Sequence, residues 1–161
     1  MHVSAAQPIR PATTLTFDDF YRERWTPTVR LAHVLTGSQA LAEDLAQEAL
    51  AAVAARFTGL DHPNAYLRTT VVNLARSHHR RRARHDQLLH LVDRPKDSEL
   101  EASELLDAVD ALPYREKAVL VLRYYEDLPE AEIASALGMR PATVRTVAAR
   151  ALRRLRREIQ R

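Results

Sequence analysis

From Phe17 onward, apolar residues return every three or four positions, and β-branched residues nowhere alternate with polar ones over a strand length. That pattern predicts helices along nearly the whole chain. Phe17, Phe20, Tyr21 and Trp25 mark a first short helix. Thr26-Pro27 predicts a restart with proline at the first helical position, and Val29, Leu31, Ala32 and Leu35 carry the new helix to a stop at Thr36-Gly37. Ser38 is a good N-cap for the next helix, whose apolar stripe is Leu41, Leu45, Ala49, Ala52, Val53 and Phe57. After Thr58-Gly59 and a short loop, a helix is expected over about 64–82. Leu67, Val71, Leu74, Ala75 and His78 would line its buried face, with Arg68, Arg76 and Arg80 elsewhere on its surface. The second half steps more quickly. Leu105, Leu106, Val109 and Leu112 predict one helix, and Ala118, Val119, Val121, Leu122 and Tyr125 a second. Ile133, Ala134 and Leu137 predict a third, and Val144, Ala148, Ala151, Leu152, Leu155 and Ile159 a fourth. Pro113, Asp127-Leu128 and Gly138 separate them.

The expected fold is therefore all-α: two small helical domains joined by a polar acidic linker, the C-terminal one a four-helix domain with a helix-turn-helix. The divisions are a flexible tail over 1–14, a first domain over 15–85, a linker over 86–103 and a second domain over 104–161. A linker of this polar composition fixes no geometry between the two parts.

Composition narrows the chemistry. The chain has 161 residues, 46% apolar and 28% charged, enough to bury a core. Cysteine is absent, which excludes disulfides, thiol nucleophiles and thiolate metal sites and fits a reducing cytoplasm. With only three glycines, a phosphate-cradling glycine loop is not expected. No run of 18 apolar residues and no signal-peptide pattern is present, so neither membrane insertion nor export is expected. The net charge of +3 hides a strong asymmetry. Residues 66–85 hold six arginines and no acid, residues 140–161 eight arginines and one acid, and residues 93–110 seven acids against two cations. Two basic blocks flanking an acidic one suggest two polyanion-binding surfaces. Arginine suits phosphate because its planar fork donates two hydrogen bonds at once. Solvated helix faces are the bland alternative, weakened by the lack of acids interspersed for i,i+4 pairing.

The segment 130–150 carries the most information. A short helix, a turn containing Gly138 and a second helix make a helix-turn-helix. Ala134 is small where the helices would cross, and Val144 and Val147 are apolar where the second must lean on the first. The second helix would then present Ala142, Thr143, Arg145, Thr146, Ala149 and Arg150 outward, as a helix entering a major groove does. Arg153, Arg154, Arg156 and Arg157 extend its basic face toward phosphates. The run Arg80-Arg81-Arg82 is less specific, since cations also favour a helix C-terminus. Phe57 and Tyr66 could stack on unpaired bases, although core packing is the commoner fate of such aromatics.

These motifs resemble those of the bacterial sigma factors of the extracytoplasmic-function group, two-domain initiation subunits of RNA polymerase. Asp44-Leu45-Ala46-Gln47-Glu48, preceded by Leu35-Thr36-Gly37, is similar to the family's region 2 signature. Asn64-Ala65-Tyr66-Leu67 through Asn73-Leu74-Ala75-Arg76 is similar to the promoter-melting helix. Leu112-Pro113-Tyr114-Arg115-Glu116, Glu132-Ile133-Ala134-Ser135-Ala136-Leu137-Gly138 and Ala142-Thr143-Val144-Arg145 resemble region 4. The match runs in the family's order from about Phe17 onward. The resemblance implies core RNA polymerase (β′ clamp helices and β flap) and promoter DNA as partners, and is compatible with an anti-sigma protein as a third. It implies core contacts at Asp44, Leu45, Gln47 and Glu48. It implies −10 element contacts at Asp61, His62, Asn64, Asn73, Arg76, Ser77 and Arg80. It implies −35 element contacts at Arg140, Ala142, Thr143, Arg145, Thr146, Arg150 and Arg153. The acidic linker would thread the polymerase's RNA exit path.

The chain departs from the family's pattern at Val147, where a basic residue is frequent, and at Ala148, where a bulky apolar one is. That shifts weight for base reading onto Thr143, Arg145 and Arg150. Ala46 stands where Val or Thr is usual, and His62-Pro63 sets the −10 loop apart. No sensing domain is expected after the recognition helix. The competing reading is a stand-alone helix-turn-helix regulator, opposed by the absence of βα alternation over 17–82. An enzyme is a distant third: His78 and His79 point apart on a helix, and HExxH, P-loop and nucleophile-elbow motifs are absent. No cofactor or metal is expected.

Overall fold

The computed structural model describes residues 15–89 and 104–160, and all regular structure among them is helical. The expected tail over 1–14 and most of the expected linker lie outside the described residues. Helix α1 spans Phe17–Thr36, α2 Gln39–Ala54 and α3 Pro63–Leu89, with a single 3₁₀ turn at Phe57–Gly59 between the last two. Helix α4 spans Glu104–Asp110 and α5 Tyr114–Leu120, which runs on into a π-helical turn at Val121–Tyr125. Helices α6 (Glu130–Leu137) and α7 (Pro141–Ile159) complete the fold.

The stop at Gly37 and the cap at Ser38 act as the sequence predicts, and Thr16 adds a cap to α1. The Thr16 hydroxyl accepts from the Asp19 N–H at 3.2 Å and donates to the Asp19 carboxylate at 2.7 Å, starting α1. Gly37 ends it with φ 72°, a left-handed conformation glycine takes without strain. Ser38 then caps α2. The predicted break at Thr26-Pro27 is absent, and α1 runs straight through Pro27. Proline removes one backbone donor and crowds the preceding turn. Here Thr28 donates its hydroxyl to the Arg24 carbonyl at 2.6 Å. Phe20 before the proline and Leu31 and Leu35 after it sit in one core, so packing holds the two segments in line.

Helix α3 also outruns its expected end near Arg82, continuing to Leu89. Ala83, Arg84, Gln87 and Leu88 are helix formers, which carry the helix past Arg82. The front of the expected linker is therefore helix. Three of the residues whose spacing predicts helix are not buried. Leu105 and Leu106 are half exposed, because α4 meets the core through Ala108, with Leu112 just beyond its end. Tyr125 is 48% exposed: the Glu126 N–H bonds the Val121 carbonyl five residues back, at 3.0 Å, and the extra residue in that turn rotates Tyr125 outward.

The largest fully buried side chains include Phe20, Leu50, Val53, Val71 and Val72 from the first half. They form one cluster with Val119, Leu122, Ile133 and Val144 from the second. Burial of this apolar surface is the main favourable term in folding. The linker composition had left the two halves without a fixed relation, and tertiary packing supplies one. Across the junction the Tyr114 hydroxyl donates to the Val72 carbonyl at 2.7 Å, with the His79 ring 5.5 Å from the Tyr114 ring. Arg68 of α3 pairs with Glu126 at 3.2 Å and Glu132 at 3.8 Å.

Candidate nucleic-acid interface

Helices α6 and α7 form the expected helix-turn-helix. Gly138 takes φ 63°, its N–H bonds the Ser135 carbonyl, and the Met139 N–H bonds the Ala134 carbonyl at 2.9 Å. Pro141 opens α7 at its first position, where the missing N–H costs nothing. Val144, Val147, Ala148 and Ala151 are buried, with Ile133, Ala134, Ala136 and Leu137 of α6 also inside. That face being spoken for, Ala142, Arg145, Thr146, Ala149, Arg150 and Arg153 lie on the open side at i, i+3, i+4, i+7 spacing. All six are exposed, as is Arg140 at the N-cap, and Thr143 is half exposed.

Arg145, Arg150 and Arg154 are held in ion pairs. Arg145 donates from Nε and Nη2 to the two carboxylate oxygens of Glu130, at 3.3 and 3.0 Å. Arg123 approaches the same carboxylate at 3.5 Å. The hydrogen bond from Arg145, with the charges of Arg145 and Arg123, holds the Glu130 carboxyl below its ordinary range. Arg150 donates Nε to one oxygen of Glu116 at 2.8 Å, and Arg154 lies in ion-pair range of the other oxygen, at 3.3 Å, without a hydrogen bond to it. Glu116 on α5 is buried, its side chain 4% exposed. Residue-by-residue reading missed Glu116 and Glu130 because they belong to other helices. The only local signal was two acids, Glu130 and Glu132, in the first turn of α6.

The second candidate surface lies on α3 and the loop before it. Asp61, His62 and Asn64 are exposed there. Asn73, Arg76, Ser77 and Arg80 follow at i, i+3, i+4, i+7 spacing, exposed except for the half-buried Arg76, which donates to Asn73 Oδ1 at 2.9 Å. Arg80, Arg81 and Arg82 are exposed in the body of α3, not at its end, so stabilisation of a helix terminus does not account for them. Arg68, expected on the open surface, is instead drawn into its pairs with Glu126 and Glu132. His78 is partly buried, and burial followed by the nearby Arg81 and Arg82 charges depresses its pKa. Phe57 packs edge-on to Phe17 at 5.5 Å and against Phe20 at 5.4 Å, in the core where an isolated aromatic more often belongs. A cleft of about 570 Å³ separates the loop from α6, with Asp61, His62, Pro63, Asn64, Ala65 and Arg68 on one wall and Glu132, Ser135 and Ala136 on the other.

On α2, Asp44, Gln47 and Glu48 are exposed on one face. Leu45, between them in sequence, is 5% exposed and turned into the core, so it cannot be a direct contact. Among the described residues, no cluster of three or more histidine, aspartate or glutamate side chains offers a metal site, and no helix is long and apolar enough to cross a membrane.

An all-α chain with an arginine-rich helix in one half and a helix-turn-helix in the other has two surfaces of the kind that meet nucleic acid. Residues 21–85 match the sigma-70 region 2 family and residues 102–155 the sigma-70 region 4 family. The RNA polymerase sigma-E factor of Streptomyces avermitilis is 32% identical over 154 residues, covering 91% of this chain and 86% of the relative. The RNA polymerase sigma factor SigV of Bacillus subtilis is 33% identical over 87 residues, 54% of this chain and 52% of the relative. The sigma factor RpoE of Bartonella quintana, solved with the anti-sigma factor NepR, superposes with a TM-score of 0.71 at 20% identity, over 89% of this chain and 98% of that one. The chain belongs to the sigma-70 family, in its extracytoplasmic-function group, and is an RNA polymerase sigma factor.

Proposed function

We propose that this sigma factor divides its work between the two arginine-bearing surfaces. The exposed face of α2 around Asp44, Gln47 and Glu48 docks on core polymerase. The loop with Asp61, His62 and Asn64, together with Asn73, Arg76, Ser77 and Arg80 of α3, takes the opened −10 strand. The N-terminal turns of α7, from Arg140 to Arg153, read the −35 duplex. The observation that carries this reading is the exposed stripe Ala142, Arg145, Thr146, Arg150 and Arg153, standing on a helix whose opposite face is buried. A helix so presented fits the major groove with its first residues at the base edges. Flipping a base out of the −10 duplex costs a few kcal/mol of stacking, which the arginines of α3 and the bound polymerase offset. The −10 loop faces α6 across the cleft, so engaging both DNA surfaces together requires the halves to part. Arg68 then exchanges its two carboxylates for solvent or phosphate. The reaction takes place in the cytoplasm, with polymerase supplying the chemistry.

The test is co-elution of the purified chain with core RNA polymerase on a sizing column, followed by promoter-dependent transcription that core alone does not give. Gln47→Ala with Glu48→Ala should reduce co-elution while leaving helical content intact, and full retention would remove α2 from the core contact. Tight binding of the chain alone to a specific duplex, without core, would instead mark a stand-alone regulator.

A further inference from the structure

Glu130 sits in the first turn of α6 and reaches across the helix-turn-helix to Arg145. Its two oxygens take up the Nε and Nη2 donors of the guanidinium, at 3.3 and 3.0 Å. A guanidinium has five N–H donors arranged as two bidentate edges that can each face a pair of acceptors. With the Nε–Nη2 edge occupied, the edge left for an incoming ligand is the terminal one, formed by Nη1 and Nη2. The Arg145 side chain is 73% exposed, so that edge stands open to solvent.

Glu130 is itself held. Arg123 lies 3.5 Å from its Oε1, and the Arg123 guanidinium rests 5.8 Å from the centre of the Tyr124 ring. The Glu130 side chain is 27% exposed, less than half as open as its partner. The carboxylate is therefore the anchored group and Arg145 the one it holds. Arg150 and Arg154 differ: Arg150 gives Nε to one oxygen of Glu116 and Arg154 only approaches the other, so neither is gripped along a bidentate edge.

We propose that Glu130 is a specificity-determining residue of the DNA-reading surface. By clamping one edge of Arg145 it presents the terminal edge to the groove in a single orientation, suited to the paired acceptors O6 and N7 of guanine. This deepens, and rests on, the reading of α7 as the −35 helix. Guanine is the one base with two acceptors side by side in the major groove, and bidentate arginine is its commonest partner. An unclamped arginine swings to the nearest phosphate, and a phosphate contact carries no sequence information. The Glu130 carboxylate also repels phosphate oxygens. It thus lowers sequence-independent binding while raising discrimination.

The test uses holoenzyme assembled from core polymerase and the full chain, offered a pool of promoter duplexes randomised across the −35 element, with the bound fraction sequenced. The wild type should enrich guanine at a position where Arg145→Ala abolishes the preference, a loss of about 5- to 150-fold. Glu130→Gln should lower guanine enrichment at that same position by roughly tenfold, leave the other positions unchanged and raise affinity for unselected duplex. The slope of log affinity on log salt should steepen by roughly 0.9, one further phosphate contact. Glu130→Asp, which keeps the charge, should retain more of the preference than Glu130→Gln. Adding Glu130→Gln to Arg145→Ala should change nothing further at that position.

Undiminished guanine enrichment in Glu130→Gln would overturn the proposal, as would a uniform loss across all positions or equal losses from the Gln and Asp variants. The underlying reading fails separately. An Arg145→Ala holoenzyme that selects the same −35 sequence as wild type would show that Arg145 reads no base at all.

Discussion

The ion pairs under α7 are asymmetric in burial, and that asymmetry predicts an unequal response to breaking them from either side. Glu116 is 4% exposed, whereas Arg150 and Arg154 are 51% and 47% exposed. In Glu116→Gln the shape is kept and the two guanidiniums, already half in water, become fully solvated. The pairs then behave like surface salt bridges, and the cost is about 0.5–1 kcal/mol. In Arg150→Met with Arg154→Met the apolar stems still cover Glu116, but no cation faces it. A carboxylate is left stranded in a buried site, which costs about 3 kcal/mol. With a urea slope of about 2–3 kcal/mol/M, the double methionine variant should unfold at a midpoint roughly 1–1.5 M lower, and Glu116→Gln within about 0.5 M of wild type. Combining all three changes removes the stranded charge and should recover most of the loss. Urea titration followed by far-ultraviolet circular dichroism measures all three. Equal losses from the two sides, or no recovery in the triple variant, would refute the claim that burial of Glu116 controls the energetics of this contact.

Four further outcomes are expected. Tyr114→Phe removes the buried 2.7 Å hydrogen bond to the Val72 carbonyl between the halves and should cost about 1 kcal/mol, lowering the melting temperature by roughly 2–4 °C in calorimetry. Gly138→Ala meets nothing within 4 Å, so its cost should be the strain of φ 63° alone, about 1 kcal/mol in a denaturant titration, with Gly138→Asn costing less. His78 has its pKa pushed below the ordinary value of 6.5, so the unfolded chain binds that proton more readily than the folded one. Stability should therefore fall as the pH drops through about 6.5 and below, and His78→Gln should flatten that part of the melting-temperature profile. Arg76→Ala, at the centre of the α3 stripe, should slow promoter opening by holoenzyme, read with a fluorescent base in the −10 element, without reducing co-elution with core.

Much of the site was legible in the sequence, because helix caps and apolar stripes are set over three or four residues. Ser38, Gly37, Gly138 and Pro141 punctuate the chain where their backbone preferences require, and the open face of α7 follows from the burial of Val144, Val147 and Ala148. Family motifs in one order added the function. Other features depended on what packs alongside. Pro27 is a break by local rules and a mid-helix residue once Phe20, Leu31 and Leu35 share a core. Leu105, Leu106 and Tyr125 carry the right spacing for burial and still face outward, since a stripe names a side of the helix but not how much of it a neighbour covers.

What the sequence by itself determined, then, is the all-α class, the stops and starts at Gly37, Ser38, Gly138 and Pro141, the two arginine-rich surfaces and the family. Only the tertiary structure decided which arginines are held, and by what. Arg68 finds Glu126 at a separation of 58 residues, Arg150 finds Glu116 at 34 and Arg145 finds Glu130 at 15. The physical reason is that ion pairing acts through a few ångströms of space, whereas periodicity and capping act along the chain. Only the packing of α3 against the second half, and of α5 and α6 against α7, brings those distances within reach.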